Sequence, residues 1–379
     1  MKTWKNIFPG IVEKKNVQKA IWQASKGKRK RDDVQGVLKN EDYHTRYTID
    51  MLVNREFEPC YNTVCVINEG TNRKIREIHK PNFKYDQIVH HATMQQLIPV
   101  FMHGMYEYVC GSIPERGSHM GKRYIEKSIV NDHKNTKYCC KMDIYHFFAS
   151  VDHDVLIDLL DKKIKDADTM WLLKTIIEGC DEGLPLGNYT SPWFGNFMLQ
   201  GLDHYIKETL HVKYYVRYMD DMVIFGRNKK ELHKCREAIE KYLDEQLHLQ
   251  MKANWQVFRF DYVDKKTGEH RGRPLDFMGF VFYSDRTIIR KSIMLRATRK
   301  ARRLSKKDKI TWHDASSMVS YMGWISNTDT HGMYLKHIKP YVDIKSLKIK
   351  VSKHQRSVNK DGKKMEKYRR LSNERATGS

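Results

Sequence analysis

Residues 214–225 read Tyr-Tyr-Val-Arg-Tyr-Met-Asp-Asp-Met-Val-Ile-Phe, with two adjacent carboxylates, Asp220 and Asp221, between two β-prone runs. Runs of that composition read as strands, and the short polar break between them as a hairpin turn. Carboxylates a few ångströms apart repel each other, and a divalent cation removes that repulsion. An exposed acidic hairpin tip is the alternative, but the flanking strands are too apolar for one. A third carboxylate, Asp143, ends the apolar run Tyr138–Met142. Alone it reads equally well as a cap for the helix that follows. Mg²⁺ takes one or two carboxylates and leaves the rest of its octahedron to water and phosphate oxygens. Asp143 with the Asp220–Asp221 hairpin would hold two such ions over a phosphate. One ion then activates the attacking oxygen of an in-line displacement, and the other the leaving oxygen.

Positioning these groups requires strands over 138–142, 214–218 and 222–225, with helices to cover them. A helix is expected over 154–165 and another over 90–105. A clearer one runs over 230–247, where Leu232, Cys235, Ile239, Tyr242 and Leu243 share a face. Two β-rich stretches, 63–67 and 74–79, flank the turn-like Asn68-Glu69-Gly70-Thr71-Asn72 and predict a hairpin. Residues 264–269 read as a loop between strands over 258–263 and 275–283.

The chain has 379 residues and a formal charge of +23, from 69 Lys and Arg against 46 Asp and Glu. Such an excess implies a polyanionic partner. No uninterrupted apolar stretch approaches membrane-spanning length, so no membrane partner is expected. The N-terminus carries no apolar signal-peptide core. Seven cysteines without a C-x-x-C pair suit neither a disulfide framework nor a zinc site, and the expected compartment is the reducing cytoplasm. The basic density peaks at 289–309, which includes Arg296, Arg299, Lys300, Arg302 and Arg303. A solvated helix face is the plain reading of such a run; phosphate contacts made without reading sequence are the functional one.

Tyr218-Met219-Asp220-Asp221 resembles the catalytic motif of reverse transcriptases, and Asp143-Ile144-x-x-Phe147-Phe148 their first metal-binding motif. Arg73-Lys74-Ile75-Arg76-Glu77-Ile78 and Asp86-Gln87-Ile88-Val89 resemble the fingers motifs of that family. The run from Gly183 to Pro192 resembles the motif that contacts template and nucleotide. Leu249-Gln250-Met251-Lys252 is similar to the next palm motif, and Phe277-Met278-Gly279-Phe280 to the primer grip. Together these cover residues 54–330. The resemblance implies an α+β right-hand polymerase fold: fingers, a palm of antiparallel sheet plus helices, and a short helical thumb. The expected divisions are 1–110 for the N-terminal region and fingers, 111–285 for the palm with interleaved fingers segments, and 286–345 for the thumb. A basic, mobile tail is expected over 346–379.

The resemblance also implies roles. Asp143 and Asp220 would bridge two Mg²⁺ ions (or Mn²⁺), with Asp221 and the Ile144 carbonyl as further ligands. A primer 3′-hydroxyl would attack the α-phosphate of a dNTP and release pyrophosphate. Arg73 would grip the triphosphate, a task that suits a planar guanidinium, with Lys74 and Arg76 beside it. Phe148 would stack below the sugar and exclude a 2′-hydroxyl, or be an ordinary core residue. Leu186 and Gly187 would lie against the nascent base pair. Lys252 would protonate pyrophosphate, or simply be a phosphate contact or a solvated lysine. The implied partners are a structured template RNA, a DNA or RNA primer, and dNTPs.

Most reverse transcriptases carry Gln where this chain has Leu186. An apolar residue there resembles diversity-generating retroelement enzymes, which copy RNA with errors opposite adenine; Pro192 departs from their usual Gln. That subgroup would add a small, basic, oligomeric four-helix accessory protein. Two other readings stand beside it: an anti-phage defence enzyme, and a non-catalytic RNA-binding scaffold or maturase.

Overall fold

The computed structural model describes residues 2–60, 64–69 and 74–357. Four helices open the chain, α1 (Phe8–Ile11), α2 (Lys14–Ser25), α3 (Asp32–Lys39) and α4 (Glu41–Val53). Next comes the expected antiparallel hairpin, β1 (Val64–Glu69) with β2 (Lys74–His79), in which Val64 faces His79. Helix α5 (Ile88–Met102) follows. The apolar face of α2, with Val17, Ala20, Ile21 and Ala24 all buried, packs on α4 and α5.

The centre of this part is a five-stranded sheet of β3 (Val109–Cys110), β4 (Tyr138–Met142), β5 (Tyr214–Tyr218), β6 (Asp221–Gly226) and β7 (Gln256–Arg259), in the order β3-β5-β6-β4-β7. All pairs are antiparallel except β3 with β5, which run parallel at one edge. That pair departs from the all-antiparallel expectation, because two-residue β3 is too short to be read from sequence. The continuous apolar run Met222–Ile224 is wholly buried in β6, as expected of a central strand covered by helices. The covering helices include α6 (Ser118–Asn131), packed on β3 and β5, and α11 (Lys229–Leu247), packed on β4, β6 and β7. Between them in sequence come α7 (His153–Lys163), α8 (Ala167–Glu178), α9 (Ser191–Met198) and α10 (Gln200–His204).

The chain divides into two compact units, Met1–Phe260 and Asp261–Ser379. Residues 261–285, assigned from sequence to the palm, therefore group with the helices that follow them. The second unit holds the short hairpin of β8 (Tyr262–Val263) and β9 (His270–Arg271), which closes the loop expected at 264–269. It also holds a three-stranded sheet of β10 (Leu275–Phe277), β11 (Phe280–Phe282) and β12 (Thr287–Ile289). Helices α12 (Lys291–Leu304), α13 (Trp312–Ile325) and α14 (His331–His337) complete it. Its core joins Ile293, Ala297, Ala301, Leu304, Met318 and Ile325. The tail expected to be mobile from 346 continues as a helix over 344–357, because Ile344 and Leu347 are anchored in that core. The rest of the tail, like Arg73, lies outside the described residues.

Candidate active site

Strand β4 carries Asp143 one residue past its end, and Met142 pairs with Met222 of β6. Continuing that register sets Asp143 opposite Asp221. The β5–β6 hairpin pairs Tyr218 with Asp221, so its two-residue turn is Met219-Asp220 rather than Asp220-Asp221. Asp221 is the first residue of the strand, and Asp220 projects from the turn itself.

Met219 holds a φ of 54°, a left-handed conformation uncommon for a non-glycine residue. Its surroundings determine it. The Met219 N–H donates to the Cys110 carbonyl (3.2 Å), and the Met219 carbonyl accepts from Arg217 Nη1 (3.0 Å). Gly111 (φ 96°) lets β3 come this close, since a Cβ there would sit 3.2 Å from Met219 Cγ. Arg217 is fully buried and forms a bidentate pair with Asp203, Nε to Oδ1 at 2.8 Å and Nη2 to Oδ2 at 2.6 Å. Its Nη1 also reaches Asn196 Oδ1 (3.0 Å), and the Tyr215 hydroxyl donates to Asp203 (2.6 Å). A buried ion pair with its hydrogen bonds this complete anchors the turn that carries Asp220. Nothing in the sequence reading identified these residues. The available signal was a lone arginine inside the apolar run of β5, which folding leaves buried only when a partner is at hand.

Burial, with the neighbouring Asp143 carboxylate as the next cause, pushes the Asp220 carboxyl up to about 7. Lys252 Nζ binds Asp143 Oδ2 at 2.9 Å. That bond, with further attraction from Asp143, Asp221 and Asp220, raises the lysine above its ordinary value. Its segment is held by a β-bridge between Ile144 and Met251, flanked by Lys252 N–H to Asp143 carbonyl (2.8 Å) and Tyr145 N–H to Gln250 carbonyl (2.8 Å). In this pattern the peptide groups of Ile144 itself face away from Met251. Hard oxygen donors from Asp143, Asp220 and Asp221, with the Ile144 carbonyl beside them, are the donor set a Mg²⁺ or Mn²⁺ ion takes. A carboxyl that burial and a like charge hold partly protonated is a group a divalent cation would ionise. The residues present fit the metal.

Phe147 is a buried core residue, and Phe148 is half-buried beside it, packed against the same core with ring centroids 5.2 Å apart. The Phe148 carbonyl accepts from Leu184 N–H (2.6 Å), which ties the segment after Asp143 to the run from Gly183 to Pro192. Leu186 is half-buried, and its carbonyl accepts from His79 N–H (2.8 Å) at the end of β2. Gly187 (φ 117°) allows this approach, because a Cβ there would collide with the His79 carbonyl. Lys74 and Arg76 lie on β2, whose tip is thereby linked to the palm segment through its far end.

In the second unit, Phe277 and Phe280 pair across a tight turn at Met278-Gly279, with φ values of 51° and 84°. Both rings are fully buried, so they are core residues and not the contact surface expected of a primer grip. Arg296, Arg299, Arg302 and Arg303 are exposed along α12, as expected. Lys300 is not: its ammonium is buried against Asp314 Oδ1 at 2.8 Å, because position 300 falls on the apolar face of α12 with Ala297 and Leu304. A cluster the sequence reading missed, Asp261, His270 and Asp285, also lies here. His270 Nδ1 meets Asp261 (3.0 Å) while Nε2 meets Arg286 Nη1 (3.0 Å), so the imidazole is already engaged on both sides.

A family model described as reverse transcriptase (RNA-dependent DNA polymerase) matches residues 68–282. Protein YkfC of Escherichia coli strain K12 is 27% identical over 170 residues, covering 42% of this chain and 44% of the relative. The retron Ec73 reverse transcriptase of Escherichia coli is 28% identical over 110 residues, covering 26% of this chain and 35% of the relative. The chain thus spans less than half the length of these curated relatives. Among solved structures, telomerase of Candida albicans in complex with a fragment of telomeric RNA covers 78% of this chain and 61% of its own, at 10% identity and a TM-score of 0.43. Apo telomerase of Candida tropicalis covers 79% and 64%, at 10% identity and a TM-score of 0.45. No helix among the described residues is long and apolar enough to cross a membrane. With the match covering more than half of its length, the chain belongs to the reverse transcriptase family and has the α+β, right-hand polymerase fold.

Proposed function

We propose that this protein is an RNA-directed DNA polymerase that makes cDNA from a structured template RNA, error-prone in the manner of a diversity-generating retroelement. The observation that carries the reading is the Asp143 carboxylate, bonded to Lys252, beside the Asp220 carboxyl, which sits on a strained, braced turn next to Asp221. Asp143 and Asp220, with Asp221 and the Ile144 carbonyl, would hold a divalent metal, which when bound would supply Lewis acidity to the primer 3′-hydroxyl and to the pyrophosphate. Lys252 sits against Asp143 as an ammonium, a positive charge beside the departing pyrophosphate; its bond to Asp143 must break before its proton can pass to that leaving group. Arg73, with Lys74 and Arg76, holds the triphosphate.

The half-buried Phe148 ring is the steric screen against ribonucleotides. Phe148→Val opens the space of several carbons below the sugar, and shape discrimination of this kind is worth ~1–3 kcal/mol. Relative rNTP incorporation in a primer-extension assay rises roughly 10- to 100-fold, with dNTP incorporation little changed.

Leu186 offers no amide near the nascent pair. Leu186→Gln supplies a hydrogen bond worth ~1 kcal/mol, and sequencing of cDNA then finds substitutions at template adenines falling about five-fold. The overall reading is tested by Mg²⁺-dependent cDNA synthesis on RNA transcribed from the flanking DNA, followed by product sequencing. Substitutions concentrated at adenines support diversification, with a small basic four-helix accessory protein as partner. A faithful or repetitive product supports the second reading, an anti-phage defence enzyme.

A further inference from the structure

The end of the central sheet farthest from Asp220 carries a second concentration of charge. Tyr138 pairs with Gly226 at that end, while Met142 pairs with Met222 at the catalytic end. Five residues of strand separate Tyr138 from Asp143, about 16 Å at ~3.3 Å per residue. Around Tyr138 an open cleft of about 700 Å³ is lined by Lys134, Lys137, Arg227, Asn228, Lys229 and Glu231. Its four cations are all exposed, and the one carboxylate in the lining reaches only Arg227, at 4.0 Å. Among the described residues, Lys134, Lys137 and Lys229 make no ion pair. Like charges gathered in one concavity repel, and the Lys137 contact over the Tyr138 ring (5.9 Å) with the long Arg227–Glu231 pair offsets that repulsion only in part.

The cleft is nonetheless built. Asp132 accepts from the Asn135 N–H (3.1 Å) and amide (2.8 Å), from Lys213 Nζ (2.6 Å) and from the Tyr214 hydroxyl (2.9 Å). These bonds pin the loop that presents Lys134. On the opposite wall Arg227 follows directly on β6, and Asn228 caps α11 through Lys230 N–H (2.8 Å), which fixes Lys229.

We propose that this cleft binds the phosphate backbone of a double-stranded, non-templating element of the template RNA, held behind the palm while another part of the same RNA is copied. The proposal rests on the polymerase reading for the word template, but the binding it describes does not require synthesis. Cations at this spacing contact phosphates without reading sequence. A stem in the structured template RNA of the proposed polymerase is a polyanion of this kind.

The test uses the full chain and the variant Lys134→Gln/Arg227→Gln/Lys229→Gln, all at exposed positions. Two probes are compared: a short RNA template with a DNA primer, and the same pair with the template extended by a hairpin stem. The variant binds and extends the short pair as wild type does. It binds the stem-bearing RNA about ten-fold more weakly, with the slope of log affinity against log salt reduced by about 2–3. Lys134→Arg/Arg227→Lys/Lys229→Arg keeps both the affinity and the slope. Unchanged binding of the stem-bearing RNA overturns the proposal, as does an equal loss on both probes, which would place the reacting duplex in the cleft. Displacement of the stem by an acidic peptide at equal charge concentration also overturns it, in favour of a protein partner. If wild type fails to extend the short pair while the stem-dependent difference appears, the polymerase reading fails and this one stands.

Discussion

Arg217→Met is expected to destabilise the protein by about 3–5 kcal/mol, because it leaves the Asp203 carboxylate buried without its counter-charge. Chemical denaturation measures that loss directly. The same substitution removes the donor to the Met219 carbonyl, and the turn carrying Asp220 relaxes from its left-handed conformation. Nucleotide incorporation by the fraction still folded should therefore fall as well, by roughly 100-fold if misplacement near 1 Å follows. The double variant Arg217→Met/Asp203→Leu separates the two effects. Replacing both members of a buried pair with apolar residues restores much of the stability, yet the Met219 carbonyl remains without its donor. Stability that returns while incorporation stays low supports a positioning role. Full recovery of both contradicts it.

The second large effect concerns metal and pH. Asp220 has its carboxyl raised to about 7 in the metal-free protein, well above the ordinary carboxylate range. For a carboxyl raised in the folded state, the sign is fixed. The stability tied to its protonation is complete below the ordinary carboxylate range and is lost as pH climbs through about 7. Ionised Asp220, buried and beside Asp143, then destabilises the metal-free protein by about 2–4 kcal/mol near pH 8. A divalent cation offsets that repulsion. Thermal unfolding should show a small Mg²⁺-induced rise in Tm near pH 6 and a large one near pH 8. Asp220→Asn removes the like charge, so the metal-free variant is more stable than wild type near pH 8 and loses most of its Mg²⁺ response. An equal Mg²⁺ effect at both pH values would exclude Asp220 as the group that ionises on metal binding.

Much of this site could be read from local pattern. The apolar runs around Asp143 and Asp220, with their period and length, place the carboxylates at or beside strand ends, and the structure forms the expected hairpin; the pairing of its second strand with the one that delivers Asp143 was not legible. The helix over Lys229–Leu247 was legible because Leu232, Ile239 and Leu243 recur at helical spacing and are buried. What the sequence hid is long-range. The turn register, which moves Asp221 into the strand, depends on Met219 being held left-handed by groups far away in sequence. Asp203 and Asn196 sit on helices with nothing local to link them to Arg217. Lys300 looked like its exposed neighbours because a charged residue on an apolar face is explained only by Asp314, fourteen positions on. Phe277 and Phe280 show the same limit. Their motif resembles a contact surface, whereas their packing makes them core.

The most direct test is RNA-templated dNTP incorporation with Mg²⁺, comparing purified wild type with Asp220→Asn on one primer–template. The account expects extension by wild type and a rate lower by about 10³-fold or more for the variant, since losing a carboxylate that holds the metal forfeits several kcal/mol of transition-state stabilisation. Comparable extension by both proteins would contradict it and leave the Asp143–Asp220 centre without a catalytic role.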